Sequence, residues 1–169
     1  NGIIENHDRL RSSLKSAGHR FLSDTDTEVI SHLVEHYYRK DPIDAVAKAI
    51  RRLQGSYAVA VLFRDRPGLL VAARFNSPLI LGIGKGEQMI ASDIAAILPF
   101  TRDVSFLGEK EIAAVEPSGV KVLGKTPPTT RISWKASDAE KGGYPHYMLK
   151  EIHEEPQIAE AELMGRLDL

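Results

Sequence analysis

The stretch from Tyr57 to Phe63 reads Tyr-Ala-Val-Ala-Val-Leu-Phe and is apolar on both of its alternating faces. A strand with this pattern is typical of a sheet that is covered on both sides, because neither face carries polar groups for water. This one segment therefore predicts a layered fold, in which further elements pack against the sheet.

Three amphipathic helices are predicted before this strand. The first covers about residues 8–17. Thr25 and Glu28 have the spacing of a capping box at the start of the second, and Asp41-Pro42 begins the third, since proline suits the first helical position. The apolar side chains that recur at helical spacing are Leu10, Leu14, Ala17, Val29, Ile30, Leu33, Val34, Tyr37, Val46, Ile50 and Leu53.

Short strands that pair mostly as antiparallel neighbours are predicted after the helices. Arg66-Pro67-Gly68 is a turn signal between the first strand and its hairpin partner. The further predicted strands are residues 69–74, 79–83, 88–91, 104–107, 112–115 and 120–123, with a short helix near 94–98. Helices first and antiparallel strands afterwards favour an α+β layered domain.

The chain divides into three parts by composition. Residues 1–123 carry the helices and strands of one domain. Residues 124–143 are rich in Pro and Gly and have little periodicity, which indicates a linker. Residues 144–169 show a helix-like apolar pattern interrupted by Pro156 and are expected to continue into another domain.

Composition excludes several classes of function. The 169 residues contain no cysteine, so disulfides, thiolate metal sites and cysteine nucleophiles are excluded within them. The formal net charge of -1 gives no reason to expect nucleic acid or an anionic membrane surface as a partner. No stretch approaches the roughly 18 apolar residues of a membrane span, and no secretory signal is present. We expect a cytoplasmic protein and, because the sequence does not begin with Met, a piece of a longer one.

The opening Asn1-Gly2 pair is the first candidate for chemistry. A side-chain amide and an adjacent backbone N–H can converge on one point, and an oxyanion needs two donors at about 2.7–3.1 Å. The alternative is an ordinary Asn-Gly turn, which the dipeptide alone favours.

Acids and hydroxyls at the predicted start of the second helix are the second candidate. Capping alone would select such residues, so helix caps are the simpler interpretation of Asp24, Asp26 and Glu28. The functional alternative is that one carboxylate turns into a pocket and binds a substrate ammonium group. His32 and His36 have a spacing that can bind a metal, but no third ligand is evident, and we predict neither a metal nor a cofactor.

Five motifs in order resemble one known family. They are Asn-Gly-Ile-Ile-Glu-Asn-His from Asn1, Thr-Asp-Thr-Glu-Val from Thr25, Gly-Ser-Tyr-Ala-Val-Ala-Val from Gly55, Asn-Ser-Pro-Leu from Asn76 and Ala-Ser-Asp from Ala91. The set resembles the class II glutamine amidotransferase domain of the glutamine–fructose-6-phosphate aminotransferase (isomerising) family. The segment from His146 to Ile152, ahead of Pro156, is similar to the connection between that domain and the family's sugar-isomerase half.

The resemblance implies a fold, a reaction and roles for three residues. The fold would be the N-terminal-nucleophile hydrolase type, a four-layer αββα sandwich, incomplete in this chain. Asn1 and Gly2 would form the oxyanion hole, and Asp26 would hold the α-ammonium of glutamine. Ammonia released from glutamine would convert fructose 6-phosphate to glucosamine 6-phosphate in the full-length enzyme, for which a homodimer is one expected assembly.

The residues present leave two alternatives to an active glutaminase. The family's nucleophile is a cysteine at the mature N-terminus, and no cysteine occurs here, so we expect these residues alone to be inactive. One alternative is a non-catalytic domain of the same fold that serves assembly or regulation. The other is the glutaminase module of a different amidotransferase.

Overall fold

The computed structural model describes residues 2–133 and 142–164. They belong to two compact units, Asn1–Ile132 and Ser133–Leu169. The first unit carries three helices and two sheets, and the second carries one helix.

The three helices of the first unit lie where the apolar spacing predicts them. They are α1 (His7–Ser16), α2 (Glu28–Tyr37) and α3 (Pro42–Ile50). The Asp41 carboxylate accepts hydrogen bonds from the Ile43 and Asp44 amides at 2.9 and 3.1 Å, so it caps the free N–H groups at the start of α3.

The strands form two antiparallel sheets of four. In chain order they are β1 (Tyr57–Leu62), β2 (Leu70–Phe75), β3 (Ile80–Ile83), β4 (Gln88–Ala91), β5 (Asp103–Phe106), β6 (Ile112–Glu116), β7 (Gly119–Val122) and β8 (Thr130–Arg131). One sheet has the order β1-β2-β6-β7 and the other β4-β3-β5-β8. The predicted helix near residues 94–98 is a short 3₁₀ turn at Ile94–Ala96.

Strand β2 divides the core of the first unit into two layers. Val71 and Ala73 pack among the three helices, whereas Ala72, on the opposite face, packs toward the second sheet. All three side chains are fully buried, as the period of two in a strand requires when both faces are covered. The described residues of the first unit thus form helices, sheet and sheet in three layers, an α+β arrangement.

The prediction that β1 is covered on both faces is wrong for the described residues. Tyr57 is buried and Val59 and Val61 pack against the helical core, but Ala60 and Leu62 are exposed, Leu62 by 76%. Strand β1 also lies at the edge of its sheet and pairs only with β2 among the described strands. The apolar pattern identified a strand correctly, but pattern alone does not tell which elements cover it.

The first unit continues past the last strand that the sequence predicts. Strand β8 lies inside residues 124–143, the range whose composition indicates a linker, and pairs with β5 through Asp103 and Arg131. Ile132, at the end of the unit, is buried. A two-residue strand is too short for a period to be visible in the sequence.

The second unit contains α4 (Tyr147–Met164), which carries Pro156 in its interior. The helix-like pattern predicted for residues 144–169 is therefore a helix over Tyr147–Met164, and the proline does not end it. Among the described residues, none of the helices combines the length and the apolar character that a membrane crossing requires.

The N-terminal segment of the first unit is held against the start of β1. Ile4 is completely buried and forms an antiparallel bridge with Gly55. Gly55 has φ +105°, and an added Cβ would lie 2.1 Å from the Ile3 carbonyl oxygen. Only glycine permits this approach of the two backbones.

We expect Asp41→Ala to lower the free energy of unfolding by about 1 kcal/mol, because two amides at the start of α3 lose their acceptor. Asp41→Asn should cost much less, since an asparagine oxygen can accept the same bonds. Urea unfolding followed by circular dichroism measures both. Equal losses for the two variants would contradict capping as the cause.

We expect Gly55→Ala to lower the free energy of unfolding by about 3 kcal/mol or more, because positive φ and a clash with the Ile3 carbonyl act together. Gly18 is the matched control, since its φ is +94° but an added Cβ would meet nothing within 4 Å. Gly18→Ala should cost only about 1 kcal/mol from backbone strain. Similar unfolding midpoints for the two variants would argue against the close approach.

Candidate active site

Two of the three site residues expected from the sequence line one pocket. Gly2 and Asp26 both border a cavity of about 610 Å³ beside α2 and β1. The remaining lining residues are Thr25, Thr27, Ile30, Ser31, Val34, Tyr57, Val59, Ala60, Val61 and Leu62. Asn1, the third expected residue, lies outside the described residues.

Asp26 is half-buried and is fixed by the N-terminal segment. The Ile4 amide donates a hydrogen bond of 2.7 Å to Asp26 Oδ2. No donor among the described residues binds Oδ1, and a carboxylate can accept several hydrogen bonds at once. Asp26 therefore holds the segment with one oxygen, while no hydrogen bond from the described residues occupies the other.

Glu28 holds the loop that leads to Asp26. Its carboxylate accepts hydrogen bonds from the Leu22 amide at 2.7 Å, the Ser23 amide at 2.8 Å and the Ser23 hydroxyl at 2.6 Å. The Ser23 hydroxyl and these amides lower the pKa of Glu28 to about 2, because each bond stabilises the charged form. Glu28 is therefore charged at neutral pH, and its hydrogen bonds to the loop are charge-assisted.

The predicted capping box of Thr25 and Glu28 is wrong. The Thr25 hydroxyl contacts the Ser23 hydroxyl at 2.8 Å, and the residue before α2, Thr27, makes no side-chain capping bond. Glu28 reaches back past Thr25 to residues 22 and 23. Thr25 and Glu28 do have the spacing of a capping box, but the Glu28 carboxylate bonds residues further back in the loop than a capping box requires.

Arg11 is a second support of the loop that sequence reasoning missed. From α1, its guanidinium donates hydrogen bonds to the carbonyls of Ser23 and Thr25 at 2.8 and 2.7 Å. It also lies over the Phe21 ring, 4.7 Å from the centroid. In the sequence Arg11 belongs to a basic group that solvated helix faces explain equally well, so no local signal marks this role.

The backbone at Gly2 is as constrained as that at Gly55. Gly2 has φ +131°, and an added Cβ would lie 2.0 Å from the Ser56 carbonyl oxygen. The Ser56 amide donates to the Ile3 carbonyl at 3.0 Å, and the Ile3 amide donates to the Ser56 hydroxyl at 3.3 Å. Gly2 therefore brings its peptide group to the pocket at a place where no side chain fits.

Asn6 completes the attachment of the segment, a role for its side chain that no local pattern in the sequence indicates. Its amide nitrogen donates to the Arg52 carbonyl at 2.8 Å, and its oxygen accepts from the Gln54 amide at 3.0 Å. The Glu5 amide donates to the Gln54 carbonyl at 2.9 Å. These bonds fix the register of residues 2–6 against residues 52–56.

The chemistry of the pocket suits a small zwitterionic or cationic ligand. Asp26 supplies a negative charge, Gly2 a peptide group, and Ile30, Val34 and Val59 an apolar wall. Burial, with a smaller effect of the Glu109 charge, raises the pKa of the Tyr57 hydroxyl, so this group stays neutral at pH 7.

A second cavity of similar volume differs in charge. It lies between α3 and the sheet of β1, and its lining is mostly apolar with Arg51, Lys110 and Lys121 as its ionisable groups besides Tyr57. No carboxylate lines it, so it offers nothing to bind an ammonium group. The pocket at Asp26 is the better candidate for the active site.

Sequence comparison identifies known proteins that this chain resembles. The family profile of the glutamine amidotransferase domain matches residues 1–99. Three similar curated proteins are named glutamine–fructose-6-phosphate aminotransferase (isomerizing). They come from Caldanaerobacter subterraneus subsp. tengcongensis (47% identical), Thermus thermophilus (45%) and Thermotoga maritima (44%), each over 99% of this chain. The chain spans only 28% of the length of each.

Solved structures show a related fold. Glutamine phosphoribosylpyrophosphate amidotransferase from B. subtilis is similar with a TM-score of 0.62 and 22% identity, over 72% of this chain and 27% of that one. The allosteric regulatory enzyme of purine biosynthesis gives a TM-score of 0.60, also at 22% identity, over 72% of this chain and 26% of that one. The expected α+β fold of the N-terminal-nucleophile amidotransferases is thereby confirmed.

The sequence match and the fold agree. The family profile covers 99 of the 169 residues, and it includes the N-terminal segment, the Asp26 loop and the strand β1 that together border the pocket. This chain belongs to the glutamine amidotransferase domain family.

Proposed function

We propose that this chain is part of the glutaminase domain of a glutamine–fructose-6-phosphate aminotransferase. Such an enzyme hydrolyses glutamine to glutamate and ammonia and uses the ammonia to convert fructose 6-phosphate to glucosamine 6-phosphate. The observation that carries the proposal is the meeting of Gly2 and Asp26 at one pocket, although 24 positions separate them in the sequence. The names of the relatives at 44–47% identity support the choice of reaction.

Asp26 is the proposed ligand of the substrate's α-ammonium group. Its Oδ2 is occupied by the Ile4 amide, and its Oδ1 accepts the ammonium N–H. A hydrogen bond between two charged groups is worth roughly 1.5–3 kcal/mol, enough to select an amino acid over an uncharged amide. Because the same carboxylate also binds the Ile4 amide, the negative charge of Asp26 is held in a fixed position.

Gly2 is the proposed backbone donor of the oxyanion hole, with the Asn1 side-chain amide as its partner. When a nucleophile adds to the amide carbon of glutamine, negative charge develops on the carbonyl oxygen, and two fixed N–H donors stabilise it. The positive φ of Gly2 and the lack of a Cβ let substrate and backbone approach closely.

The nucleophile is not among these 169 residues, which contain no cysteine. In the proposed reaction a cysteine thiolate attacks the amide carbon, the C–N bond breaks, and ammonia leaves with a proton from the cysteine's own α-amino group. Water then hydrolyses the thioester to glutamate and restores the thiol. The cysteine and the groups that bind the substrate carboxylate belong to parts of the enzyme beyond these residues.

The acceptor half of the proposal extends beyond the residues described here. Fructose 6-phosphate would bind a sugar-isomerase domain, and the enzyme would be cytoplasmic and homodimeric. Assay of glucosamine 6-phosphate in the complete enzyme supplied with glutamine and fructose 6-phosphate tests this half. If the enzyme releases glutamate and ammonia but forms no glucosamine 6-phosphate, the proposed acceptor is wrong and the glutaminase assignment stands.

In the complete enzyme, we expect Asp26→Asn to raise the KM for glutamine about 10- to 100-fold, because the ammonium loses a charged acceptor. The asparagine oxygen still accepts the Ile4 amide, so the N-terminal segment stays in place and kcat should change little. Steady-state glutamate release measures both constants.

Asp24→Asn is the matched control, since Asp24 is an exposed acid of the same loop and does not line the pocket. It should leave KM unchanged. An equal rise of KM in both variants would indicate a general effect of loop charge, and an unaltered KM in Asp26→Asn would remove Asp26 from the substrate site.

For the oxyanion hole, we expect Asn1→Ala in the complete enzyme to lower kcat by about 10²- to 10³-fold while glutamine binding is retained, because the lost donor acts only in the transition state. Pre-steady-state measurement of glutamate formation separates the chemical step from product release. Unchanged turnover would exclude Asn1 from the hole.

A further inference from the structure

Away from the pocket lining, the structure brings His19, His32 and Glu35 together, and one potential ligand atom of each lies within 4.8 Å of the others. We propose that these three residues, the His–His–Glu cluster, bind a divalent transition-metal ion, with zinc as the best match. The ion ties the segment after α1 to helix α2. This site is independent of the proposed glutaminase function.

The distances in the cluster agree with tetrahedral coordination. His19 Nδ1 lies 3.1 Å and His32 Nδ1 3.5 Å from Glu35 Oε2. Zinc binds histidine and carboxylate ligands at about 2.0–2.2 Å, which places neighbouring ligand atoms about 3.3 Å apart in a tetrahedron. The two distances to Glu35 Oε2 match this spacing, and all three ligand atoms lie within 4.8 Å of one another.

The backbone fixes the positions of the three ligands. His32 and Glu35 lie three residues apart on α2, so they share a face of the helix. His19 follows the turn at Gly18, and its amide donates to the Leu14 carbonyl at 3.0 Å. In the sequence, spacing suggests metal ligands only for His32 and His36. His19 lies 13 residues before His32, and only the fold brings it close to α2.

His32 carries a second observation that points to a cation. Its Nε2 lies 3.4 Å from Glu28 Oε1, while its Nδ1 faces Glu35. A neutral imidazole has only one N–H, so it can donate to one of these carboxylates and keeps a lone pair on its other nitrogen. With Nε2–H donated to Glu28, Nδ1 is the metal ligand, an arrangement of carboxylate, histidine and metal that is common in zinc sites.

Burial and packing give the cluster a fixed inner side and an open outer side. The side chains of His19 and His32 are 13% and 16% exposed, and that of Glu35 is 70% exposed. The Phe21 ring packs on His32 with 4.3 Å between ring centroids and fixes its orientation. Two preorganised imidazoles and a solvent-facing carboxylate leave a path for the ion and room for water as the fourth ligand. Imidazole ligands favour zinc over magnesium or calcium.

The expected effect of the ion is on the loop between α1 and α2. His19 lies near the start of that loop, Glu28 holds its middle at Ser23, and Asp26 lies near its end. An ion that joins His19 to α2 removes freedom from the loop and stabilises the folded state in proportion to its binding.

Titration of Zn²⁺ into the chain, prepared without an affinity tag, tests the proposal by calorimetry and by NMR of the histidine side-chain nitrogens. We expect one ion per chain with a Kd in the micromolar range or below, shifts at His19 and His32, and a thermal midpoint raised by a few degrees. A millimolar Kd, or tight binding that leaves both histidines unshifted, would overturn the site.

Two variants and one control identify the ligands. Glu35→Gln removes an exposed ligand without disturbing the core and should weaken binding at least about 10-fold, as should Glu28→Gln through His32. His36→Ala is the control, because His36 lies on the same helix, its ring 5.7 Å from that of His19, yet outside the cluster. Its Kd should be nearly unchanged. Equal weakening by His36→Ala and Glu35→Gln would mean nonspecific binding by the helix face.

Discussion

The close approach of the N-terminal segment to Gly55 is the constraint on which the pocket depends. Gly2 and Gly55 both have positive φ, and a side chain at either position would meet a backbone carbonyl of the other segment. This approach buries Ile4 and directs its amide to Asp26. Three separate stretches of sequence thereby meet at one place. The peptide group of Gly2 is consequently set by backbone geometry, and the Asp26 carboxylate is held in place by the Ile4 amide.

The layered core gives these segments a rigid support. Strand β2 contributes Val71 and Ala73 to the helical side and Ala72 to the space between the sheets, so both layers share one buried strand. Strand β1 is paired to β2 along all six residues and presents Tyr57 and Val59 to the pocket. A site on regular elements is held more precisely than one on loops alone. The loop before α2, which is irregular, is held by Glu28 and Arg11.

Much of the fold could be predicted because apolar spacing reports local structure directly. The three helices of the first unit and seven of the strands lie where apolar residues recur at the right period, and the motif order singled out Gly2 and Asp26, which border one pocket. Features that depend on distant contacts could not be predicted. The exposure of Leu62, the pairing of β8 and the partners of Glu28 are decided by which element lies opposite, and sequence spacing carries no such information. His19 is the clearest case, because it reaches the side chains of α2 only after the chain turns at Gly18.

The bridge between Ile4 and Gly55 also has a consequence for the order in which the unit assembles. It joins the two ends of a ring of about fifty residues that contains all three helices. Closing such a ring costs chain entropy that local helix and hairpin contacts do not have to overcome. A partly folded chain can therefore hold its helices and sheets while the ring is still open, and in that state it has a core but no pocket. By the same reasoning, an opening that separates these two ends removes the pocket while the helices and sheets can stay folded.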